Sequence, residues 1–128
     1  MTNIKVYAAE DDPIDQMSLR RHMSGQDSGI ELTLYDNGSA LRDGLANTSA
    51  PDCILLDMAM PVMDGFAVLD YLETSPFSKV PVFIMSSSDA HADLLKSQGC
   101  TCAGYLNKPV SADALGAAVN ALLAPRQV

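Results

Sequence analysis

The alternation of short apolar runs with helical patterns most limits the folds open to this chain. Five runs read as strands: Ile4–Ala9, Ile30–Tyr35, Cys53–Leu56, Val80–Met85 and Gly104–Leu106. Four are mostly apolar, as expected for strands covered on both faces of a parallel sheet. Ile30–Tyr35 alternates more, as a strand near an edge does. Helix signals lie between the runs. Pro13 suits a first turn after Asp12, and Ile14, Met17 and Met23 give a rough apolar stripe before Gly25. Ser39 is placed to cap a helix carrying Leu41 and Leu45. Asp64 or Gly65 opens a segment with Val68, Leu69 and Leu72 that closes near Ser75-Pro76. Ser88 or Asp89 starts a fourth helix with Leu94 and Leu95, stopped by Gly99. Ser111 caps a fifth, with Leu115, Val119 and Leu122 at helical spacing. Successive β-α units of this kind imply right-handed crossovers and helices on both faces of one parallel sheet.

The chain's 128 residues suit a single domain over 1–128 with a real core, without repeat or linker. Hydrophobic content of 48% against 19% charged residues fits a packed globule. A formal net charge of −8 disfavours nucleic acid as a partner, since such binding needs a basic face. No apolar run approaches the ~20 residues of a membrane span. The N-terminal "MTNIKVYAAEDD" lacks a basic start and a signal-length apolar segment, so a cytoplasmic protein is expected. Of the three cysteines, Cys53 sits inside an apolar strand as a small core filler. Cys100 and Cys102 have no second cysteine pair, and His22 and His91 lack ligand spacing with them.

In open α/β sheets, ligands gather beyond the carboxyl ends of the strands. The first strand ends in Glu10-Asp11-Asp12, the third at Asp57, the fourth in Ser86-Ser87-Ser88, and the fifth leads into Asn107-Lys108-Pro109. Each has a bland reading alone: acids favour a helix start, serines cap, and a loop lysine is solvated. Together they deliver carboxylates, hydroxyls and one lysine to a single edge. Clustered carboxylates repel one another unless a cation is present, and Mg²⁺ takes oxygen ligands of this kind. Lysine supplies a point charge for a phosphate, and a serine hydroxyl can donate to a phosphoryl oxygen. These are the parts for phosphoryl chemistry on a carboxylate, with Asp57 placed as nucleophile.

Over essentially its whole length the chain resembles the receiver domain of two-component response regulators, stand-alone chemotaxis-type regulators included. The resemblance rests on "YAAEDDP", "LLDMAMPVMDG", "PVFIMSSSDA" and "YLNKP". It implies a doubly wound, flavodoxin-like five-stranded parallel sheet of order 2-1-3-4-5. It also implies that Asp57 accepts a phosphoryl group from a sensor histidine kinase or histidine phosphotransfer protein. Asp11, Asp57, the backbone carbonyl of Ala59 and, through water, Glu10 would hold Mg²⁺ or Mn²⁺. Lys108 would pair with the phosphoryl oxygens, acting with Asp57 in the transfer, and Lys108-Pro109 would be a cis peptide. Ser86 takes the place of the switch hydroxyl and Tyr105 that of the aromatic switch. Ala59 and Ser88 hold the positions that set the dephosphorylation rate. A target protein would read the face formed by the fourth helix, fifth strand and fifth helix.

Ser86 replaces the more frequent threonine, keeping the hydroxyl but losing a methyl that restricts its rotamer; Ser87 stands where alanine is common and is still small enough to leave the pocket open. The chain closes at "LLAPRQV", just after the fifth helix, so no output domain is expected. A phospho-acceptor rather than a turnover enzyme is expected. An aspartyl-phosphate hydrolase usually carries a general acid two residues after the nucleophile, where this chain has Ala59. A phosphorylation-independent interaction module is the other alternative, opposed by the retention of Asp11, Asp57, Ser86 and Lys108.

Overall fold

The computed structural model describes residues 4–24, 30–47, 50–58, 65–86 and 103–108. The expected fourth and fifth helices lie outside these residues, as do Ala59, Ser88, Cys100, Cys102 and Pro109. Five strands form one parallel sheet: β1 (Ile4–Ala9), β2 (Ile30–Tyr35), β3 (Cys53–Asp57), β4 (Val82–Ser86) and β5 (Gly104–Asn107). Their order is β2-β1-β3-β4-β5, the expected doubly wound arrangement. From β1 the chain winds to β2 on one side and later to β3 on the other. The crevice where ligands collect in such sheets therefore opens beyond β1 and β3.

Strand periodicity sorts the core into two layers. Tyr7, Ala9, Ile54, Leu56, Val82 and Ile84 face the side covered by α2 (Gly38–Asn47) and α3 (Gly65–Glu73), meeting Leu41, Leu45, Val68 and Leu72. Val6, Ala8, Cys53, Leu55, Phe83 and Met85 face the other side, where Leu19 of α1 (Pro13–Ser24) is buried among them. Every residue of β3 and β4 is buried. β2 is an edge strand, as its alternation predicts, with Glu31 and Thr33 exposed.

Four local expectations are corrected. The stripe of Ile14 and Met17 does not face the core: they are 74% and 60% exposed, and Leu19 takes the buried place. The cap of α2 is Asn37, whose Oδ1 accepts the Ala40 N–H at 2.8 Å, so Ser39 lies inside the helix. β4 begins at Val82 instead of Val80 because the Val80 N–H is spent in a turn on Phe77 O, 3.1 Å away. Pro81 has no N–H to give the ladder, although its carbonyl accepts from Ile54 N at 2.9 Å. Finally, β3 continues one residue further, so Asp57 belongs to the strand and is buried.

Candidate functional site

Glu10 directly prolongs β1. Its N–H donates to Tyr35 O at 3.0 Å, which draws the residue down beside the sheet and buries it completely. Asp12 then caps α1: its Oδ1 accepts the Ile14 N–H at 2.9 Å and its carbonyl accepts from Gln16 N at 2.9 Å. The Asp12 N–H in turn donates to Glu10 Oε2 at 3.0 Å. Asp12 is thus occupied in starting the helix, while Glu10 and Asp11 are left at the crevice. Gln16 fixes the rotation of α1 by donating to the Glu10 carbonyl and, at 2.9 Å, to Asp36 Oδ1.

Asp57 ends β3 in register with Met85, and pairing runs on as Met58 N–H donates to Met85 O at 3.3 Å. Gly65 begins α3 against this turn. A Cβ there would meet Met58 Cα at 2.8 Å and Asp57 O at 3.0 Å, so only glycine admits the approach. Lys108 is placed by the opposite edge strand: its N–H donates to Ser86 O at 2.9 Å, continuing the β4–β5 ladder. Its side chain then reaches back across the sheet end. The ammonium stands 2.8 Å from Glu10 Oε1, 3.1 Å from Asp57 Oδ2 and 3.2 Å from Asp15 Oδ2.

The electrostatics follow from burial. Burial pushes Glu10 up to about 7 against the pull of Lys108, and the nearby Asp57 charge adds to the rise. Asp11 is raised by the same two effects, desolvation first. Burial alone would discharge Lys108, but the Glu10 and Asp57 carboxylates outweigh it and raise the ammonium above the ordinary lysine value. One carboxylate oxygen each from Glu10, Asp11 and Asp57 lies within 4.8 Å of the other two. Glu10 Oε1 is buried, and among the described residues its close polar neighbour is the Lys108 ammonium at 2.8 Å. Three converging carboxylate oxygens fit a hard divalent cation and its bound water.

Ser86 closes β4, almost buried, two residues after Ile84. Ile84 is the register partner of Tyr105, so Ser86 and Tyr105 share the face of the α2–α3 layer. Asp57 and Lys108 follow Leu55 and Leu106 on the α1 face. The structure brings Glu10, Asp11, Asp57 and Lys108 together, and sets Ser86 and Tyr105 on one strand pair beside them. Asp15 is the residue that sequence reasoning missed. The available signal was its place in the first turn of α1, one turn beyond Asp11, on a helix springing from the crevice.

A doubly wound parallel sheet of order 2-1-3-4-5, with three acids and a lysine gathered at its carboxyl edge, defines the class of protein. The chain belongs to the response regulator receiver domain family, whose pattern matches residues 6–120. It is similar to Protein PilH of Pseudomonas aeruginosa PAO1, 28% identical over 123 residues, covering 94% of this chain and 98% of PilH. Among solved structures it resembles the receiver domain of the Francisella response regulator 1452, with TM-score 0.79, 31% identity and coverage of 94% and 96%. It also shares the fold of the receiver domain of sensor histidine kinase PA1611 from Pseudomonas aeruginosa, at TM-score 0.83 and 19% identity, covering 97% and 100%. That domain was solved with a magnesium ion coordinated in its active site cleft. The chain spans about half the length of other curated relatives, such as Response regulator MprA of Mycobacterium sp. (strain KMS): 28% identical, covering 94% of this chain and 50% of MprA.

Proposed function

We propose that this receiver accepts a phosphoryl group on Asp57 from a phosphohistidine of a sensor histidine kinase or phosphotransfer protein. The observation that carries the reading is the Lys108 ammonium at 3.1 Å from Asp57 Oδ2, at the end of a strand buried on both faces. An Asp57 carboxylate oxygen attacks phosphorus, the P–N bond breaks, and the imidazole leaves with its electron pair, taking a proton as it departs. The product is an acyl phosphate on Asp57. Burial keeps the carboxylate poorly hydrated and hence free to attack, while Lys108 supplies positive charge for oxygens arriving beside it. A Mg²⁺ or Mn²⁺ ion held by Asp11, Asp57, the Ala59 carbonyl and, through water, Glu10 would neutralise charge on the transferring phosphoryl oxygens.

The added charge of about −1.5 to −2 draws in the Ser86 hydroxyl and leaves room on the shared face for Tyr105 to turn inward. The signal is a population shift read by a target protein at β5 and the neighbouring helices, or a relay of the phosphoryl group onward. The domain acts in the cytoplasm as a phospho-acceptor, with no turnover beyond slow self-catalysed loss. Ala59 and Ser88 are too small to hold a water in line with phosphorus, which supports slow loss.

Phosphoramidate or acetyl phosphate with Mg²⁺, followed by intact-mass measurement, tests the reading. A stable single adduct on the protein and none on Asp57→Asn is expected. Continuous release of phosphate would indicate a hydrolase, and no adduct at all would leave a phosphorylation-independent module.

A further inference from the structure

We infer that Asp15 is a positioning residue that competes with the acceptor site for the Lys108 ammonium, holding it partly on α1 until a phosphoryl group arrives. This inference rests on the phospho-acceptor reading for its consequences, although the contact itself does not.

Lys108 is shared among three carboxylates, and they differ in kind. Glu10 and Asp57 belong to the buried crevice, with side chains 1% and 4% exposed. Asp15 lies outside it on the first turn of α1, 29% exposed, yet its Oδ2 accepts a hydrogen bond from Lys108 Nζ at 3.2 Å. Among the described residues the converging carboxylate oxygens come from Glu10, Asp11 and Asp57, and Asp15 is not one of them. Among the described residues its side-chain partner is Lys108. Space for movement is present: a cavity of about 10 Å³ is lined by Glu10, Asp15, Ser18, Leu19, Met85 and Lys108. That is the lower bound for one water and leaves free volume beside the ammonium, between α1 and the strand ends.

The consequences have opposite signs for the two ligand charges. While Asp15 engages Lys108, it offsets part of the lysine charge felt at Asp57. A divalent cation at the acids is then repelled less, and an anion at Asp57 is attracted less. When the phosphoryl oxygens arrive, they outbid the more exposed Asp15, and the ammonium leaves α1 for the site. Asp15 therefore sets a threshold: it favours metal loading in the resting state and makes phosphoryl capture less favourable.

The test compares the intact wild-type chain with Asp15→Asn and Asp15→Glu. Asparagine keeps the shape and removes the charge. Affinity for Mg²⁺ should fall roughly 3-fold, the scale of a partly exposed ion pair, while affinity for beryllofluoride at saturating Mg²⁺ should rise by a similar factor. Asp15→Glu, which keeps the carboxylate, should restore both towards wild type. In a Lys108→Met background most of the Asp15→Asn effect should vanish, because the charge acts through the ammonium. A merely structural role would weaken both ligands together, and that result, or no change in either, overturns the inference. A separate measurement covers failure of the acceptor reading itself. In metal-free protein, hydrogen exchange at the Lys108 ammonium, followed by ¹⁵N NMR, should quicken in Asp15→Asn. An unchanged ammonium signal overturns the inference whether or not beryllofluoride binds, whereas wild type that binds no beryllofluoride overturns the acceptor reading alone.

Discussion

Lys108 Nζ lies 2.8 Å from Glu10 Oε1, an ion pair in which the Glu10 side chain is almost wholly buried. Two strand ends from opposite halves of the chain meet through that contact. Glu10 Oε1 is thereby a buried oxygen whose charge is offset by a lysine from the far edge of the sheet.

The first prediction concerns that oxygen. The fold raises Glu10 from its ordinary 4.5 to about 7, chiefly by burying it. For an acid this means the native state holds its proton more tightly than the unfolded chain does. The associated stability is therefore present below pH 4.5 and is lost as pH rises through about 7. Glu10→Gln, neutral throughout, should flatten this loss and make the metal-free protein more stable than wild type at pH 8, while weakening Mg²⁺ binding. Urea unfolding in EDTA at pH 5 and pH 8, with Mg²⁺ titrations, measures both. Equal pH slopes in the two proteins would show that Glu10 carries no such cost.

Lys108→Met should destabilise the metal-free protein, since it strands buried carboxylates without a counter-charge. Glu10 can take up a proton, so about 3 kcal/mol, the low end for breaking a buried pair, is expected. Mg²⁺ should recover most of the loss by replacing the missing positive charge. Thermal melts of the variant with and without Mg²⁺ decide the matter; a melt insensitive to the ion contradicts it.

Cys53 should be inert in the folded protein. It is 1% exposed, and burial, aided by the Asp52 charge, pushes its thiol up to about 12. Native iodoacetamide treatment at neutral pH followed by peptide mapping should find Cys53 unmodified. The same treatment in urea should label it fully.

Helix α2 offers a local test. Asn37→Ala removes the Oδ1 acceptor of the Ala40 N–H and should cost about 1 kcal/mol. Ser39→Ala should change stability by only a few tenths of that, because Ser39 is inside the helix rather than at its cap. Comparable losses from the two substitutions would contradict the assignment of the cap.

Strand bounds were legible where apolar runs met unambiguous punctuation. Ile4–Ala9 and Ile30–Tyr35 stand as the sequence predicts, and β3 differs only by including Asp57. The α1 face was not legible, for a physical reason. Ile14 and Met17 have helical spacing, but the rotation of α1 is set by polar anchors, Asp12 at the cap and Gln16 on Glu10 and Asp36. Those anchors turn Leu19 to the sheet and leave Ile14 and Met17 in solvent. At the site, the convergence of Glu10, Asp11, Asp57 and Lys108 follows from strand ends alone. Asp15 does not, because it reaches Lys108 from a helix, and strand-end logic says nothing of helix side chains.

β5 enters the sheet beside β4 and is the strand that carries Lys108 to the acids. On a ribosome, Glu10, Asp11 and Asp57 emerge well before it. Until β5 adds itself, the nascent domain holds a self-repelling carboxylate edge and an unpaired β4 flank. Long-range parallel pairing is also slow to form. The counter-charge for the acids therefore arrives last, together with closure of that flank. A truncated or half-made copy that ends before β5 lacks the lysine and keeps both the repelling acids and the open flank.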